Sequence, residues 1–179
     1  MGLFKKKILP KDLGRLLYTN IRFGVMSSET PLYHKKLVHD LNEDPENLKW
    51  SYSIEILIFA LFCTLEVLSN KLSSTASLEI MKSIHSEFTT HIEPIFKPDL
   101  NLITKEQVIQ IIHQRFDEYG ECFRNQNGGG PVWHLGVKAY WNIIGQEKKE
   151  PGPSMILSLY ALKLTDLIND ILKDYKIIE

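Results

Sequence analysis

IEILIFALFCTLEVL, residues 54–68, decides the fold. It resembles a membrane span, but it is shorter than the ~20 apolar residues a bilayer core requires, and it carries Glu55 and Glu66. On a helical wheel at ~100° per residue its apolar side chains cover roughly two-thirds of the circumference, wider than the stripe of a surface helix. Such a segment is expected to be the central helix of an all-α bundle, contacted from several sides. Asp44 offers an N-cap, and Pro45 suits the first helical position because its missing N–H would be unpaired there in any case. The central helix is therefore expected over about 45–72.

Working outward, turn chemistry divides the chain into about six or seven helices with short connections. Residues 11–25 carry Leu13, Leu16, Leu17, Ile21 and Phe23 at helical spacing, with Arg15 and Arg22 on the opposite side. A short helix with Leu37, Val38 and Leu41 follows Thr30 and Pro31. Beyond the central helix, residues 75–93 offer Leu78, Met81, Ile84, Phe88 and Ile92 as a buried face and should stop at Pro94. Thr104 and Gln107 have capping-box spacing and open a helix to about Arg124, with Val108, Ile111, Ile112, Phe116, Tyr119 and Phe123 inward. Val132 to Ile144 reads as an aromatic helix bearing Trp133, Tyr140 and Trp141. From Ser154 to Tyr175, Leu157, Leu164, Leu167, Ile168 and Ile171 face one way and Lys163, Asp166, Asp170 and Lys173 the other. Loops are expected at 125–130 (NQNGGG) and 146–153 (QEKKEPGP), the first as a mobile connection. There is no strand alternation and no fixed-period repeat.

A chain of 179 residues, 44% of them apolar, is the size of one helical domain, 1–179, with a sizeable core. A net charge of −1 supplies no field to attract nucleic acid. The basic segment 1–9 has no apolar run or cleavage site behind it, so it is expected to be a flexible terminus on a cytoplasmic protein. Lys6 stands where a myristoylation signal needs Ser or Thr. Lys5, Lys6 and Lys7 behind Leu3 and Phe4 supply one signal for an anionic membrane surface, where stable anchoring takes two.

Chemistry-bearing patterns are sparse. Glu87 with His91 and His113 with Asp117 are i, i+4 pairs, a spacing more often used for surface hydrogen bonds than for metal ligation, and HExxH is absent. No metal or cofactor is expected. Glu55 and Glu66 share a face but stand roughly 16 Å apart along the axis, too far for a catalytic dyad. With Ser69 they are expected to mark the narrow solvent-facing stripe of the central helix. The Gly128–Gly130 run before a helix could hold an anion, yet no strand precedes it and no GKS or GKT follows. Cys63 and Cys122 lie in apolar surroundings and are expected to be free, buried thiols. No nucleophile motif supports covalent catalysis.

Arg115 is the exception, because the wheel places it inside an apolar arc between Val108, Tyr119 and Cys122. Its head must snorkel to water, the ordinary behaviour of long basic side chains, or pair with Glu66 or Glu55, or hold an anionic ligand. These properties favour a non-enzymatic cytoplasmic protein that binds a partner protein or itself. The runner-up is a small enzyme or ligand-binding protein with a polar pocket between helices, drawing on Arg115, Glu66, Glu55, His91 and His134, the last beside Trp133 and Trp141. A weaker alternative is peripheral membrane association through the basic N-terminus.

Overall fold

The segment 54–68 lies in helix α3, Trp50–Lys71, which touches each of the six other helices. Every residue from Ile54 to Thr64 is buried, and the Thr64 hydroxyl is satisfied by the Ala60 carbonyl at 2.8 Å. This all-round burial follows from the two-thirds apolar circumference, each large side chain adding about 1.5–3 kcal/mol when removed from water. The 20-residue stretch Tyr52–Lys71 is long and apolar enough to cross a membrane, with mean hydropathy 1.8, but 72% of its most apolar window is buried inside the fold. That is how the core helix of a bundle presents.

The structure is a computed structural model that describes residues 5–44, 50–95, 104–124, 130–144 and 151–178, without the side chains of 50, 51, 92–95 and 151. Around α3 stand α1 (Pro10–Met26), α2 (His34–Asp40), α4 (Ser74–Ile95), α5 (Lys105–Arg124), α6 (Pro131–Ile144) and α7 (Pro151–Asp174). The expected start of the central helix at Pro45 and the glycine run up to Gly129 lie outside the described residues, as does the side chain of Ile92. Gly130 is described, with φ +79°, a left-handed conformation suited to glycine just before α6.

Two helix pairs approach most closely. A Cβ on Gly14 of α1 would stand 2.6 Å from the Ile80 carbonyl oxygen of α4, and one on Gly136 of α6 would meet Ser158 Oγ and, at 2.5 Å, the Ser154 carbonyl oxygen of α7. Serines bridge these contacts: Ser83 Oγ donates to the Lys11 carbonyl at 2.7 Å and Ser158 Oγ to the Val132 carbonyl at 3.1 Å. The expected capping box is present, Gln107 Oε1 accepting the Thr104 amide at 2.7 Å and Thr104 Oγ1 the Gln107 amide at 3.3 Å.

Several expectations need correction. Residues 6–8 of the basic terminus form strand β1, Lys6–Ile8, paired in parallel with β2, Tyr175–Ile177, in the register Lys7 to Lys176. Ile8 and Ile177 pack on the core, which ties that segment down where a flexible one was expected. Phe23 and Leu78 are exposed rather than inward. In α1 the buried positions continue through Gly24 and Val25. In α4 the close approach at Gly14 turns Ser77 and Ser83 inward, and the opposite side, with Leu78, outward. Helix α4 passes Pro94 to end at Ile95; α7 begins at Pro151, since proline is tolerated in a first helical turn. Cys63 is buried but Cys122 only half-buried; both are free.

Candidate functional site

Arg115 does not snorkel. Its guanidinium lies between α5 and α3, with Nη2 2.8 Å from Glu55 Oε1 and Nε 2.9 Å from both carboxylate oxygens. The Arg115 side chain is 17% exposed and that of Glu55 8%. The arc that bears Arg115 faces α3, which offers the Glu55 carboxylate at the same height. Glu55 is thus buried, correcting the expectation that it lies with Glu66 and Ser69 on a solvent-facing stripe; Glu66 is half-buried and only Ser69 is exposed.

The pair belongs to a larger network. Arg115 Nη1 reaches both oxygens of Glu118 at 3.3 Å, and Glu118 also accepts from Gln114 Nε2 at 2.8 Å and from Asn142 Nδ2 of α6 at 3.0 Å. Lys138 Nζ stands 3.9 Å from Glu118 Oε2 and 6.0 Å over the Trp141 ring. Two carboxylates and two cations balance. Burial pushes the Glu55 carboxyl above its ordinary range, and Arg115 offsets part of that. For Glu118 burial also pushes upward, but hydrogen bonds from Gln114 and Asn142 with the neighbouring cations prevail and hold it low. All three guanidinium nitrogens of Arg115 stand within reach of a carboxylate, so the group joins α5 to α3 and, through Glu118 and Asn142, to α6.

Of the other candidates, His134 borders this cluster, while His91 and Glu66 lie elsewhere. His134 lines an open cleft of about 420 Å³ between α5 and α6 with Glu118, Cys122, Lys138 and Trp141. His91 lies on α4, its Nδ1 2.8 Å from the Glu87 carbonyl oxygen, its ring stacked on Tyr18 at 5.8 Å between centroids. Glu66 has no ion pair among the described residues, and burial raises its carboxyl pKa. His113 packs edge-on to His85, with ring centroids 6.5 Å apart. Among the described residues no group of three or more His, Cys, Asp or Glu could hold a metal ion. The Cys63 thiol is pushed well above its usual range by burial, then by Glu66, which suits a core residue rather than a nucleophile.

A feature that sequence reading missed lies on the outer side of α7. Met155, Leu159 and Leu162 are 54%, 51% and 50% exposed. Their i, i+4, i+7 spacing places them in one row. Beside the row runs a groove of about 470 Å³ between α7 and α2, lined by Leu37, Ile156, Leu159 and Tyr160 with Lys36, His39, Asp40 and Lys163 at its edge. The signal was available, because those three apolar residues fall on the face that also bears Lys163, Asp166 and Asp170.

The chain matches no protein-family model, no curated protein and no solved structure at a significant level.

Proposed function

We propose that this protein works by binding rather than by catalysis, and that it self-associates through the outer face of α7. The observation that carries this reading is the half-exposed row Met155, Leu159 and Leu162. Single exposed apolar residues are ordinary on a protein surface, but a continuous row beside a groove of mixed apolar and charged lining is the pattern of a docking face. A two-fold interface joins one patch to its own copy, so the patch must hold both the projection and its receptacle. Here the row and the groove adjoin, and the groove edge carries both Asp40 and the cations Lys36 and Lys163. Two antiparallel copies can therefore seat row in groove and oppose unlike charges.

The Arg115–Glu55 pair supports the same reading from the other direction, since its two charged groups are directed at each other between α5 and α3. Sedimentation velocity over a concentration series tests the proposal. The full chain should shift from monomer to dimer with concentration, and Leu159→Asp should remain monomeric with unchanged helix content. A chain that sediments as a monomer throughout, or a Leu159→Asp variant that dimerises like the parent, overturns it.

A further inference from the structure

Between α1 and α4 lies a cleft of about 370 Å³ whose walls include Tyr18, Arg22, Phe23, Met26, Ser27 and His91. Its volume falls in the range of small-molecule sites, roughly 300–1,000 Å³. Three of its groups have unmet requirements. Tyr18 is 2% exposed, yet its buried hydroxyl has no hydrogen-bond partner. Burial pushes its pKa up to about 12, so this hydroxyl is a donor at physiological pH. Arg22 faces Tyr18 but has no ion-pair or hydrogen-bond partner among the described residues. The carboxylate that also faces Tyr18, Glu87, is held by Arg15, with Nε to Oε1 at 3.1 Å, and lies 3.7 Å from His91 Nδ1. Phe23, finally, leaves an aromatic side chain 58% exposed at the cleft.

We infer that this cleft binds a small organic carboxylate, with Arg22 clamping the acid group and the apolar body resting against Phe23 and Met26. A guanidinium presents two parallel N–H groups to a carboxylate, a short charge-assisted arrangement that also fixes orientation. The Tyr18 hydroxyl supplies a further donor. Ser27 Oγ accepts the Glu29 amide at 3.4 Å, which leaves its own proton to donate. A monoanion fits better than a polyphosphate, because among the described residues Arg22 is the one unpaired cation lining the cleft and Glu87 is close by. The stack of His91 on Tyr18, at 5.8 Å and 25° between planes, holds the floor of the cleft in place.

Calorimetric titration of the full chain with phenylacetate tests this, with 2-phenylethanol as the uncharged analogue and inorganic phosphate as the bare anion. Phenylacetate should bind saturably at one site. Arg22→Gln and Phe23→Ala should each weaken it by about tenfold or more while the circular dichroism and melting temperature stay unchanged, since Phe23 is exposed and Arg22 only half-buried. The alcohol should lose a similar factor. Absence of saturable heat for phenylacetate, or an Arg22→Gln variant that folds and binds as the parent does, overturns the site. Phosphate binding as tightly as phenylacetate overturns the organic class of ligand. Should Arg22→Gln fail to fold, Phe23→Ala and the alcohol carry the same decision.

Discussion

Arg115 on α5 holds Glu55 on α3 through two nitrogens at 2.8–2.9 Å, in a setting where the Glu55 side chain is 8% exposed. A buried pair of this kind adds little over apolar residues of the same shape, because desolvation offsets the attraction, but breaking one side leaves a charge with neither water nor partner. Arg115→Met should therefore destabilise the fold by about 3–5 kcal/mol. Adding Glu55→Gln should recover part of the loss, since the uncompensated charge is gone. Urea midpoints of the two single variants and the double variant measure the coupling, and additive effects would show that the pair is not energetically linked.

The two close helix crossings make a second expectation. Gly14→Ala puts a methyl group against the Ile80 backbone carbonyl, and Gly136→Ala puts one against Ser154 and Ser158, so in neither place can a flexible side-chain end move aside. Each should cost about 1–3 kcal/mol, the usual range for overpacking. Gly152→Ala, with open space around its Cβ position, serves as the control and should leave the urea midpoint close to that of the parent.

Leu164 and Ile168 are both 0% exposed on the inner face of α7. Replacing either with Ala should cost about 2–5 kcal/mol by chemical denaturation, through lost transfer energy and the cavity left behind. Leu162→Ala, one face round, should change monomer stability by no more than about 0.5 kcal/mol, as surface substitutions do. A large loss at Leu162 in dilute solution would place the exposed row inside the monomer's own packing.

Glu66 gives the pH dependence a sign. Burial raises its folded pKa, and no ion pair among the described residues opposes that. The folded state therefore keeps the proton at pH values where the unfolded chain has released it. Stability from this group is present below the ordinary carboxylate pKa and is lost as pH rises through the raised folded value. Glu66→Gln cannot ionise, so relative to the parent it should gain stability between pH 4 and pH 7. Urea midpoints at both pH values check this, and a relative loss on going to pH 7 would contradict it.

Much of the architecture was legible in the sequence, because it depends on composition around a helical wheel. The two-thirds apolar circumference of residues 54–68 implied a helix touched from all sides, and the Thr104 and Gln107 spacing implied the cap that opens α5. Rotations about helix axes were less legible. Phe23 and Leu78 were expected inside because they are large and apolar, but small residues decide how α1 and α4 meet, and Gly14 with Ser83 sets that approach. The short β1–β2 pairing could not be read because it joins the two ends of the chain, and three residues on each side show no alternation to detect. At the candidate site, the wheel singled out Arg115 and named Glu55 as one of two possible partners. Which carboxylate it meets, and whether any donor remains for a ligand, depends on the relative height of α3 and α5, which sequence periodicity does not specify.

The most direct measurement on the proposed self-association is the distance between two copies. A spin label at Asp166→Cys, next along the outer face of α7 from Leu162, with Cys122→Ser to remove the half-buried thiol, reports that distance by pulsed electron spin resonance. One short, narrow intermolecular distance that disappears when Leu159→Asp is added is the result expected of row seated in groove. A signal with no intermolecular component at concentrations well above those of the sedimentation series, or a distance that Leu159→Asp leaves unchanged, would contradict it.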